Sequence, residues 1–120
     1  MERIEFVDHK GKQVLLVDVT GCTPQEVIML STAVRNVVTS QAKGSVRLLA
    51  DFTGAKFNKD VITRLKEGTV ADAPYIKKSA WVGTESIPQA HFQALKAFSS
   101  KREFVYFPTR AQALEWLAED

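Results

Sequence analysis

The segment Val46 to Asp60, VRLLADFTGAKFNKD, decides the fold of this chain. Val46, Leu48, Leu49, Ala50 and Phe52 form a near-continuous apolar run of strand length, which is how a strand covered on both faces of a mostly parallel sheet reads. Asp51 interrupts the run at its exit and Thr53-Gly54 turns the chain. Asn58 then stands where an N-cap is wanted, ahead of Val61, Ile62 and Leu65 at helical spacing. Strand, polar turn and helix in that order make half of a βαβ unit.

Upstream, Ile4 and Phe6 alternate with Glu5 and Val7. His9-Lys10-Gly11-Lys12 then turns the chain into a second strand from Gln13 to Val19, so the N-terminus reads as a β-hairpin. Thr23-Pro24-Gln25-Glu26 combines an N-cap, a proline at the first helical position and a capping-box glutamate. The helix it opens carries Val27, Leu30, Val34, Val37 and Val38 on one arc, leaves Ile28 and Met29 outside it, and is expected to stop near Lys43-Gly44.

Downstream, a helix begins at about Lys59 and should become ragged at Gly68 and Pro74. Lys78 to Gly83 reads as a fourth strand, and Ser86-Ile87-Pro88 opens a helix with His91, Phe92, Leu95 and Phe98 on its apolar arc. Arg102 to Phe107 is the last strand, and Thr109 caps a terminal helix bearing Ala113, Leu114, Trp116 and Leu117. The fold class is therefore α/β: a small, mostly parallel five-stranded sheet with an N-terminal hairpin, in the order ββαβαβαβα. Strands in sequence order, joined by right-handed crossovers, would wind as a βα superhelix. Such a sheet has no point where strand order reverses, the place where open α/β sheets form a deep crevice.

At 120 residues the chain is one domain, 1–120, long enough for a core without disulfides or a structural metal. No apolar run approaches the roughly 18 residues of a membrane span. The charged start MERIEFVDHK has no apolar targeting core, and the lone Cys22 fits a reducing compartment, so a cytoplasmic location is expected. The net charge of +2 does not point to nucleic acid.

His9, His91 and Cys22 lack metal-ligand spacing, and no nucleotide-binding or hydrolase motif occurs, so no metal, cofactor or catalytic activity is expected. Catalysis would need His91 to meet Asp51 or Cys22. Cations collect before the strands: Lys43, Arg47, Lys77, Lys78, Lys101 and Arg102. They either complement helix C-termini or give peripheral contact with an anionic surface. Strand alternation puts Leu48, Ala50 and Phe52 toward the helices and Arg47, Leu49 and Asp51 on the opposite face. Val14, Leu16, Trp81, Phe104 and Tyr106 are expected to share that opposite face, which the terminal helix or a second copy must cover.

Three segments, LLADFTGAKF, APYIKKSAWVG and FVYFPTRAQALEWL, resemble the SpoIIAA-like proteins of the STAS fold (sulfate transporter and anti-sigma-factor antagonist), related in shape to SEC14-type lipid-binding domains. Asp51, Thr53 and Gly54 match the strand end and turn of the antagonists. Where their phosphorylatable serine would stand, this chain reads Asn58-Lys59-Asp60, so the phospho-switch is not implied. The resemblance implies a non-catalytic regulatory or protein-interaction module, alone as a homodimer or with a protein partner. Its contact surface would comprise Asp51, Thr53, Gly54, Asn58, Lys59 and Asp60, with Ile28, Met29 and His91 beside it. The alternative it implies is a lipid-like or small anionic ligand in a pocket under the second and third helices.

Overall fold

The first hairpin turns on Lys10 and Gly11, both at positive φ (54° and 80°), the geometry of a two-residue turn whose twist matches that of the strands it joins. In the computed structural model, which describes residues 3–90, 92–93 and 104–119, this turn joins β1 (Ile4–His9) to β2 (Lys12–Asp18). The two pair antiparallel from Ile4 opposite Val17 to His9 opposite Lys12. Helix α1 (Pro24–Val38) opens on the expected capping box: Glu26 N–H donates to the Thr23 hydroxyl at 3.2 Å and Thr23 N–H to Glu26 Oε1 at 2.9 Å.

The chain continues through β3 (Val46–Asp51), α2 (Lys59–Asp72), a 3-10 turn (Ala73–Tyr75), β4 (Ile76–Val82), a second 3-10 turn (Thr84–Ser86), β5 (Phe104–Phe107) and α3 (Arg110–Ala118). The sheet order is β1-β2-β3-β4-β5, with β2 to β5 parallel, so the fold is the α/β architecture expected, its strands in sequence order. No helix among the described residues is long and apolar enough to cross a membrane.

Several boundaries move, each for a local reason. α1 ends at Val38, five residues before the expected Lys43, because the Thr39 and Ser40 hydroxyls donate back to the carbonyls of Arg35 and Val37 and close the last turn. α2 runs through Gly68 without fraying, since Gly68 is buried where α2 meets α1. β4 starts at Ile76, and the fourth strand is longer than Lys78 to Gly83. Residues 89–90 and 92–93 are helical, in keeping with the helix expected after Pro88. His91, Leu95, Phe98, Lys101 and Arg102 lie outside the described residues.

Two cores lie on the two faces of the sheet. On the first, Leu15, Val17, Ala50, Phe52, Ile76 and Trp81 meet Val27, Val34 and Val38 of α1 and Val61 and Ile62 of α2. On the second, Val14, Leu49, Ala80 and Val82 meet Ala113 and Leu117 of α3. The terminal helix thus covers the face opposite the crossovers. Trp81 and Tyr106, expected on that opposite face, belong to the first. Ala50 stands opposite Trp81 and Trp81 opposite Tyr106, and residues opposite one another in a sheet share a face, so both follow Ala50 toward α1 and α2. Ile28 is also less detached than its wheel position suggests: it is half-buried against the first core, whereas Met29 is 65% exposed.

Candidate functional site

At the carboxyl edge of the sheet, β2 and β3 end in the same device. Asp18 Oδ1 accepts from the Thr20 N–H (3.0 Å) and hydroxyl (2.6 Å), and Asp51 Oδ1 accepts from the Thr53 N–H (3.0 Å) and hydroxyl (2.7 Å). The two turns dock side by side, with the Gly21 N–H donating to the Thr53 carbonyl at 2.9 Å. Gly83 closes the group from β4. Its φ is +72°, and a Cβ there would lie 2.4 Å from the Thr53 nitrogen, so only glycine fits.

Arg110, the first residue of α3, reaches back over both turns. Its Nε donates to Asp51 Oδ2 at 2.6 Å and its Nη2 lies 3.5 Å from Asp18 Oδ1. Burial pushes the Asp51 carboxyl up. The Thr53 hydroxyl, the Arg110 guanidinium and the Thr53 N–H outweigh it and hold the group below the usual carboxylate range. Asp51 is 5% exposed, so of the residues expected at a partner surface it is turned inward, and the Thr53 hydroxyl is engaged with it. Gly54, Lys59 and Asp60 are exposed, and Asn58, also exposed, caps α2 by accepting from the Val61 N–H at 2.9 Å. Met29 borders a shallow groove with Arg3, Glu26 and Ala33.

A different site lies between the crossover helices and the sheet. α1 and α2 touch where Gly68 faces Ser31: a Cβ on Gly68 would stand 3.3 Å from Ser31 Oγ. Below that contact the sheet offers the small side chains of Ala50 and Ser79, and a half-open cavity of about 110 Å³ remains. It extends from Val19, Phe52 and Trp81 at the carboxyl edge to Ala73 and Ile76 at the start of β4. Its walls are apolar apart from Ser31, Thr69, Asp72 and Ser79. Phe52 and Trp81 close one end as a tilted pair, ring centroids 4.8 Å apart. Among the described residues this cavity lies under α1 and α2; most of the helix expected after Pro88 lies outside them.

Asp72 is the exceptional lining residue. Its Oδ1 is buried without a hydrogen-bond partner, as is Arg35 Nε on α1. Burial pushes the Asp72 carboxyl up to about 6 against the opposing pull of the Arg35 charge.

Two cations of the basic rim have a structural role. Arg47 Nη1 donates to the carbonyls of Leu117 (2.6 Å) and Glu119 (3.1 Å), and Lys78 Nζ to those of Trp116 (2.9 Å) and Glu119 (2.7 Å). Both cations therefore donate to the carbonyls at the end of α3, with Lys78 also 4.6 Å from the centre of the Trp116 ring. Lys43 and Lys77 are exposed. Cys22 is fully buried, which pushes its thiol up and away from the reactive thiolate. Among the described residues no group of three or more His, Cys, Asp or Glu is placed to hold a metal ion.

Sequence reasoning passed over Asp18, Arg110 and the cavity. Asp18 had a signal in the repeated Asp-apolar-Thr-Gly of Asp18 to Gly21 and Asp51 to Gly54, whereas Arg110 had none. The cavity had one in α2, where Leu65, Gly68 and Asp72 follow one another at helical spacing on the buried stripe. A glycine and a carboxylate on that stripe mark a close helix approach and a polar group facing inward. Compared with known proteins, the chain matches no family model, no curated protein and no solved structure.

Proposed function

We propose that the domain is a non-catalytic binding module of STAS or SpoIIAA-like type that takes up an elongated, mainly apolar small molecule in the cavity between α1, α2 and the sheet. The observation that carries this reading is the cavity itself. Protein interiors are close-packed, and an apolar void of roughly 150 Å³ is enough to hold benzene. A half-open space of about 110 Å³, smaller than that but open at its mouth, with apolar walls and an aromatic end, is suited to part of a lipid-like chain, its remainder lying at the mouth. The test is native mass spectrometry on several preparations, with Trp81 fluorescence read during octanol titration. A copurified apolar molecule, or a saturable Trp81 response that Ser79→Leu abolishes, supports the reading. A clean apo mass together with an unchanged fluorescence overturns it.

A second reading, contact with a protein partner or a second copy, is favoured by one surface. Met29 is 65% exposed on α1, and Lys59 and Asp60 are exposed at the start of α2. Charge reversal at Lys59 and Asp60 combined with Met29→Glu should strip copurifying partners; if every partner stays in place, this reading is wrong.

A further inference from the structure

Resting on the reading that the cavity holds an apolar chain, we propose that Asp72 makes it selective for a chain with a neutral, hydrogen-bond-donating head, an alcohol or a primary amide, over the carboxylate of the same chain. The chemistry follows from what the cavity leaves unmet. The Thr69 hydroxyl already donates to the Leu65 carbonyl at 2.8 Å. Asp72, by contrast, lines the cavity, and its Oδ1 is a buried acceptor with no donor, an unfavourable arrangement that a donor would relieve.

A hydroxyl or amide head brings that donor and adds no charge. A carboxylate head offers no proton and sets a second negative charge beside Asp72 in a space walled by Val34, Leu65, Ile76 and Trp81. Like charges brought together away from water repel strongly. The Arg35 cation on α1 softens this penalty, yet its Nε makes no hydrogen bond to Asp72 that would cancel the carboxylate.

Isothermal titration of the full chain at about pH 8, where Asp72 is ionised, with octanol, octanamide and octanoate tests the assignment. Octanol and octanamide should bind at least about tenfold more tightly than octanoate. Asp72→Asn, nearly the same shape without the charge, should bring octanoate to within about threefold of octanol. Equal binding of octanol and octanoate by the unmodified protein overturns the selectivity and leaves the cavity reading standing, and this arm needs no variant to fold. An octanoate deficit that persists in Asp72→Asn, with thermal unfolding showing the variant folded, also overturns it. Binding of none of the three removes both this assignment and the reading beneath it.

Discussion

The two faces of one sheet are built to opposite ends. Beneath α3 the strands present Leu49 and Ala80, both fully buried, against Ala113 and Leu117, also fully buried; the small residues let the helix lie close. Both ends of that helix are tied down, the first turn by Arg110 to Asp51 and the last carbonyls by Arg47 and Lys78. Beneath α1 and α2 the neighbouring residues of the same strands, Leu48 and Ser79, line the cavity, and Asp72 Oδ1 and Arg35 Nε are buried without hydrogen-bond partners. Neighbouring positions thus report different physics. One face is sealed for stability, while the other keeps space and polar capacity at some cost to it.

The largest expected contrast is a matched pair in β3. Leu49→Ala should lower unfolding free energy by about 3–5 kcal/mol, since it opens a void in a closed core, whereas Leu48→Ala merely widens an existing cavity and should cost about 1–2 kcal/mol. Urea denaturation of both variants checks this, and equal losses would mean that the two faces are packed alike.

Next in size is the pair of arginines. Arg47→Met leaves the buried Leu117 carbonyl without its side-chain donor, whereas Glu119 keeps Lys78, and should cost about 2 kcal/mol, with faster amide exchange confined to α3. Arg35→Met removes a guanidinium whose Nε has no partner, and at about pH 4, where Asp72 is neutral, stability should change by less than about 0.5 kcal/mol. A loss at Arg35 as large as that at Arg47 would break the contrast.

Smaller still is the pair in β4. Ala80→Val adds volume where none is free and should cost about 1–2 kcal/mol. Ser79→Val fills cavity space with a good strand former and should stabilise by about 0.5 kcal/mol while weakening octanol binding. Calorimetric melting temperatures moving in opposite directions would confirm the difference.

How much of this was legible in the sequence divides along the same line. The elements and their order along the chain followed from local signals: the apolar run from Val46, the capping box at Thr23, and a terminal helix with Ala113 and Leu117 one turn apart; the order of the strands within the sheet and the cover of its second face were left open. Each was decided within a few residues. Trp81 was assigned to the wrong face because strand alternation gives the period but not its phase, which is fixed only by pairing with Ala50. The cavity was invisible for a related reason. It depends on Ser31 meeting Gly68 across two helices and on Ala50 and Ser79 both being small beneath them. Such coincidences of distant positions leave only a partial local mark, here Gly68 and Asp72 on the α2 stripe.

The contrast is sharpest in two aspartates whose pH dependences run in opposite senses. Asp51, held by Thr53 and Arg110, has its carboxyl lowered in the folded state. The unfolded chain therefore binds the proton more readily, and the stability Asp51 contributes is present above its unfolded pKa and lost as pH falls through the folded one, below about pH 4. Asp72, buried at the cavity without a donor, is raised from 3.8 to about 6. Here the folded state is the better proton binder, so its contribution is fully present below the unfolded value and lost as pH rises through about 6. With solvent screening at the half-open mouth allowed for, the effect is on the order of 1 kcal/mol. Asp72→Asn should accordingly be more stable than the unmodified protein at about pH 8 and no more stable at about pH 4. A stability gain independent of pH would mean that the carboxyl does not titrate in the cavity, and saturating octanol, by supplying the missing donor, should shrink the gain at high pH.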